Sequence, residues 1–230
     1  MGIFRHLSAS LALLFTAAGV LAQAHEGDWV SYRDAYRAMV VFEKYGKPKN
    51  FLQNHFQVIP RDKYVAPDGL QLTLEGKTTR VNLALDLTGR TVLPMSKQAY
   101  DENAALVLNR KVNQYRFRPR VSIVVRPDGV YETGDLRAAC EQALAYQRHV
   151  ELLSAAGQCA GVRFVFGHGA NDPGVRLRKG EVASLATNDG PAFAGDPYEG
   201  FRVVEVRFDG LDKSQVATPN APLVITPLVE

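Results

Sequence analysis

The sequence is poor in the patterns that announce an enzyme. It has 2 cysteines in 230 residues, and they are too far apart for a redox Cys-x-x-Cys pair. There is no Gly-x-Ser-x-Gly elbow, no His-Glu-x-x-His and no glycine-rich phosphate loop. Serine hydrolases of the elbow type, zinc peptidases and P-loop nucleotide enzymes are thereby set aside. Charge of either sign is nearly absent as a surplus: the formal net charge is +3, too little for a general attraction to nucleic acid or an anionic membrane. Beyond the first residues no stretch approaches the ~20 apolar residues of a membrane-crossing helix.

What is present begins with an export signal. Arg5 and His6 form a short basic region, Leu11 to Leu21 an apolar run, and Ala22-Gln23-Ala24 a small-x-small cleavage pattern. The expected organisation is a signal peptide over residues 1–24 and a single soluble domain over 25–230, placed in the periplasm or secreted. In an oxidising compartment an even pair of cysteines reads as a disulfide, so Cys140 and Cys159 are expected to be joined. Closing that loop is worth about 3 kcal/mol in the chain-entropy model.

Periodicity indicates an α+β domain, a mainly antiparallel sheet curled as a sandwich or partial barrel with two helices packed on it. Ser31 and Asp34 have the spacing of a capping box, and Tyr32, Ala35, Tyr36, Met39 and Val40 follow on one helical face. Gly46 and Pro48 should stop that helix. A second helix is expected from an Asp135 cap, through Leu136, Ala139, Cys140, Ala143, Leu144 and Leu153, to Gly157. Strands are expected at 51–59, 70–74, 80–86, 91–93, 104–108, 162–166, 174–178, 201–208 and 222–229, with a hairpin turn at Asp86–Arg90. The longest candidate is Gln114–Val125. It puts Tyr115, Phe117, Val121, Ile123 and Val125 on one face and Arg116, Arg118, Arg120 and Ser122 on the other. Pro119 argues for an edge or a bulge there.

Three places hold candidate chemistry. Cleavage after Ala24 would leave His25 as an N-terminal residue, whose amine and imidazole can chelate copper if His55, His149 or His168 completes the nitrogen set. The loop around His168, with Asn171 and Asp172, is the most enzyme-like cluster, although the same residues build turns. The arginine row Arg116, Arg118 and Arg120 is expected on the solvent face, where it would meet an anionic glycan, a lipid phosphate or an acidic protein. Its rings face the other way, which removes the interleaving a nucleic-acid surface needs. The carboxylate pairs Asp101–Glu102 and Asp128–Glu132 read as solvated surface.

Two stretches, "YRDAYRAMVVFEK" and "LDLTGRTVLPMSKQAYDENAALVLN", resemble a family of exported proteobacterial proteins of unknown function. The resemblance covers the first half of residues 25–230 and implies an envelope location; it carries no activity, cofactor or catalytic residue. The expectation is therefore a non-enzymatic binding or accessory protein of the bacterial cell envelope, without a cofactor. The alternatives are a hydrolase using the His168 loop and a copper protein using His25.

Overall fold

A computed structural model describes residues 27–65, 69–110, 113–151, 156–169, 173–179, 181–210 and 213–230. Residues 1–26, which include the expected signal peptide and His25, lie outside the described residues, as do Leu153, Asn171 and Asp172. Along the chain run β1 (Trp29–Ser31), α1 (Tyr32–Glu43), β2 (Leu52–Pro60), β3 (Leu72–Glu75), β4 (Arg80–Leu83) and β5 (Arg90–Thr91). They are followed by α2 (Lys97–Asp101), β6 (Ala105–Leu108), β7 (Tyr115–Ile123), β8 (Val130–Glu132), α3 (Thr133–Val150) and β9 (Cys159–Phe166). The last third holds β10 (Arg176–Lys179), β11 (Glu181–Ser184), β12 (Asn188–Gly190), β13 (Phe201–Arg207), β14 (Gln215–Ala217) and β15 (Val224–Val229).

The fold is α+β, as the periodicity predicts. Its centre is a curled seven-stranded sheet in the order β12-β13-β9-β15-β7-β2-β5, flanked by four-stranded sheets β1-β6-β3-β4 and β11-β10-β14-β8. All the named strand pairs among the described residues are antiparallel. No helix among them is long and apolar enough to cross a membrane.

Alternation sorts the side chains of the central sheet between two faces, one covered by α3 and the other packed at Val165, Val203 and Val224 against Phe193 and Phe201. Ile123, Ile225, Phe164 and Val204 share one face and pack under α3 through Leu136, Ala139 and Cys140. A second core lies beneath α1, where Tyr32, Ala35 and Met39 meet Phe56, Leu72, Leu74 and Leu106. The predicted disulfide is formed: Cys140 in α3 bonds Cys159, with 6.0 Å between the Cα atoms, and fastens the helix to the first residue of β9.

Several local expectations are corrected. Ser31 is the N-cap of α1 but its side chain makes no cap bond. The helix start is held instead by the Tyr32 N–H donating to Ala104 O at 2.9 Å. The second helix has Glu132 at its N-cap position with no side-chain cap bond, carries Asp135 in its first turn and ends at Val150, well before Gly157. Asp86–Arg90 is a tight turn but not a hairpin, because β4 and β5 belong to different sheets. The Asp86 carboxylate accepts from the N–H groups of Thr88 and Arg90, at 2.8 and 3.0 Å. Gly89 takes a φ of +75° there, and a Cβ would stand 2.2 Å from Val58 O. Strand β7 lies inside the sheet, yet on the side that Pro119 faces its ladder with β15 is a single pair, Ile123–Ile225.

Candidate ligand cleft between β7 and β15

β7 is zipped to β2 from Pro60–Tyr115 to Leu52–Ile123, but its ladder with β15 is a single pair, Ile123–Ile225. The reason is legible in two prolines. Val124 N–H donates to Phe51 O, so the even-numbered residues of β7 turn their backbone groups to β2 and the odd-numbered ones turn theirs to β15. On the other side Glu230 exchanges both backbone bonds with Gln158, which leaves the odd-numbered residues of β15 facing β7. Continuing from Ile123–Ile225 would pair Val121 with Pro227 and then Pro119 with Val229. Each pair contains one residue with no N–H to give. The ladder therefore stops and the strands diverge.

The space between them is a cleft of about 850 Å³, within the usual range for small-molecule sites. Its apolar wall comes from Ala38 and Val41 of α1, and from Ala143, Leu144 and Val150 of α3. Val41 and Val150 remain 41% and 43% exposed, an exposure that an occupant of the cleft could reduce. Its polar lining is mostly cationic, with Arg118 and Arg120 of β7 and Arg163 of β9 beside the Phe193 ring, and Glu151 as the acidic residue among them.

These arginines share the polar face of the central sheet with Gln57, which lies directly opposite Arg118 in the β2 register. The segment 191–199 covers that face and brings in Asp196, whose side chain is only 7% exposed. Arg118 and Arg120 both donate to Asp196 Oδ1. Arg120 also donates to Gln57 Oε1 at 2.7 Å and lies over the Phe193 ring at 4.2 Å. Behind them Arg90 is buried, bonded to the Asp86 carboxylate at 2.8 Å and to Ser122 Oγ at 3.1 Å. Arg163 pairs with Glu205 at 2.8 Å.

The site is dry enough to move proton affinities. Burial pushes the Asp196 carboxyl above the usual range, partly offset by Arg118 and Gln57. Burial also pulls the Arg118 guanidinium down, against the attraction of Asp196. His55, opposite Arg120 in the same register, is lowered by burial and then by Arg90. Among the described residues, the buried Nε atoms of Arg118 and Arg163 have no hydrogen-bond partner. Each such donor costs about 1–3 kcal/mol while unmet.

The sequence-derived arginine row is thus only partly a surface feature. Arg116 is exposed, whereas the Arg118 and Arg120 side chains are 38% and 17% exposed and engaged with Asp196. The described histidines do not converge: His55 lies in β2, His149 near the end of α3 at 5.1 Å from the Tyr45 ring, and His168 exposed in the turn after β9. Among the described residues no group of three or more His, Cys, Asp or Glu side chains could hold a metal ion. Asp196, Gln57, Arg90, Arg163 and Phe193 were not legible as site residues. Asp196 sits in "FAGDPYEG", which reads as a turn, and only tertiary structure returns it to the sheet. The alternation Gln53, His55, Gln57 in β2 was the one available signal of a polar face.

No protein-family profile, no curated protein and no solved structure matches the chain. The functional reading rests on the cleft.

Proposed function

We propose that the chain is an exported, non-enzymatic binding protein that takes a small amphipathic anion into the cleft between β7 and β15. One observation carries this reading. The ladder breaks after Ile123–Ile225, and the space it leaves runs from an apolar helix-lined wall to Arg118, Arg120 and Arg163. An apolar body would occupy the wall and an anionic head would meet the guanidiniums in a low-dielectric pocket, where such contacts are strongest. The basic region, apolar run and Ala22-Gln23-Ala24 at the N-terminus support export, and the Cys140–Cys159 disulfide is at home outside the cytoplasm.

A peptide strand is a poorer occupant of the same gap. Pro119 and Pro227 remove the ladder donors that strand addition would use.

The test is titration of the protein with anilinonaphthalene sulfonate, an aromatic anion that fluoresces in apolar surroundings. Saturable one-site binding is expected, lost at least tenfold in Ala38→Trp, which fills the helix-lined wall, while the circular dichroism stays unchanged. Equal binding by the wild type and the folded variant would place the dye elsewhere and sink the reading.

A further inference from the structure

We infer that the ligand of this cleft is a single-chain monocarboxylate, selected by one uncompensated positive charge at the arginine end. The inference rests on the cleft reading above and adds the identity of the head group. Most of the local charge cancels in pairs. Arg90 is matched by Asp86 and Arg163 by Glu205. Arg118 and Arg120, by contrast, share the single carboxylate of Asp196. At the rim the exposed Arg116 and Glu151 act on Arg118 with opposite signs. One guanidinium charge is left over, in a pocket where a surplus of either sign is costly.

A monoanion brings the arginine end to neutrality. A dianion such as a phosphate monoester overshoots it and leaves a buried negative charge. A carboxylate also brings two acceptor oxygens, which suits the planar guanidiniums of Arg118, Arg120 and Arg163 that line this end. The tail is bounded by the α3 wall from Ala143 to Val150, about 10 Å long at the helical rise, which suits an alkyl chain of intermediate length. No bond is made or broken.

The experiment compares dodecanoate, dodecanol and dodecyl phosphate with the full protein at pH 8, below their micellar concentrations, by isothermal titration. Dodecanoate is expected to bind at least tenfold more tightly than either. Arg120→Met, which restores neutrality without a ligand, should lower the affinity for dodecanoate to that for dodecanol. Glu205→Gln, which frees a second guanidinium charge at Arg163, should reverse the preference toward dodecyl phosphate. It keeps the Arg118–Asp196–Arg120 cluster intact should the Arg120 variant fail to fold. Equal affinity of wild type for dodecanoate and dodecanol would overturn the head-group assignment while leaving the cleft in place, as would a wild-type preference for dodecyl phosphate. Failure of all three to bind would overturn the cleft reading together with this inference.

Discussion

Strand β7 has two neighbours of opposite character. On the β2 side the register runs through nine residue pairs and the space above it is filled by Phe56 and Phe117, stacked at 6.3 Å between centroids. On the β15 side a single pair holds, and beyond it lie a cleft and three arginines. Both flanks are antiparallel and both border the same strand. What separates them is the position of two prolines. Pro119 faces its free side, so the β2 ladder does not need its missing N–H, while the β15 ladder loses one donor at Pro119 and another at Pro227. The same residue is harmless on one flank and disruptive on the other. A stable sheet and an open site are thus built from one strand, with the core beneath α3 and the Cys140–Cys159 bond holding the opened half in place.

The largest expected effect comes from breaking the closed flank. Phe56 is 2% exposed, and Phe56→Ala should cost about 3–5 kcal/mol as the surrounding core fails to collapse fully onto the cavity. Val41→Ala, on the wall of the open flank, should stay within about 0.5 kcal/mol because Val41 is already 41% exposed. Urea denaturation of both variants checks the contrast; equal losses would mean that the cleft is packed as tightly as the core.

Closing the open flank should have a smaller effect of the opposite sign. Pro119→Val combined with Pro227→Val restores two ladder donors at about 0.5–1.5 kcal/mol each, against roughly 0.4–1 kcal/mol of chain entropy surrendered with each proline. The net expectation is a gain of about 0.5 kcal/mol in stability together with loss of dye binding. Thermal unfolding and the dye titration measure both quantities. Unchanged dye affinity in a folded double variant would show that something other than the prolines holds the strands apart.

A region remote from both flanks supplies the smallest and most specific effect. Glu102 accepts from Thr78 N–H at 3.2 Å, Thr79 N–H at 3.3 Å and Gln98 Nε2 at 3.2 Å, and also from the Thr78 hydroxyl. These bonds, the Thr78 hydroxyl foremost, lower its carboxyl from 4.5 to about 2. A lowered folded-state value means that the unfolded chain binds its proton first. The stabilisation is therefore complete above pH 4.5 and lost as the pH falls through about 2. Carboxyl NMR should place the Glu102 midpoint near 2, and Glu102→Gln should flatten the acid limb of stability without altering the cleft. A normal midpoint would mean that the tie between α2 and the β3–β4 turn is not formed in solution.

Much of the fold could be read from residue order. Tyr32, Ala35 and Met39 recur at helical spacing and all are buried; the Cys140 helix and the strands around Phe56, Phe117, Phe164 and Val204 follow from the same periodicities. Short elements escaped because they carry too few residues to show a period. Examples are β1, β8 and β12, with three residues each, and α2, with five. The hairpin expected at Asp86–Arg90 failed for a different reason: turn chemistry fixes a local bend but not which strands its two arms will join.

The site divides in the same way. The arginine face of β7 was visible in the alternation of Arg116, Arg118 and Arg120, because side-chain direction in a strand depends only on parity. Whether that face met water was not, because the answer is supplied by Asp196, 76 residues further on than Arg120. The amino-acid order by itself determined the helices, the alternating strands, the paired cysteines and the donorless prolines, since each depends on a residue and its near neighbours. Only the tertiary structure decided that Pro119 and Pro227 lie on facing edges and that two arginines share one carboxylate, because both depend on which distant segments become neighbours.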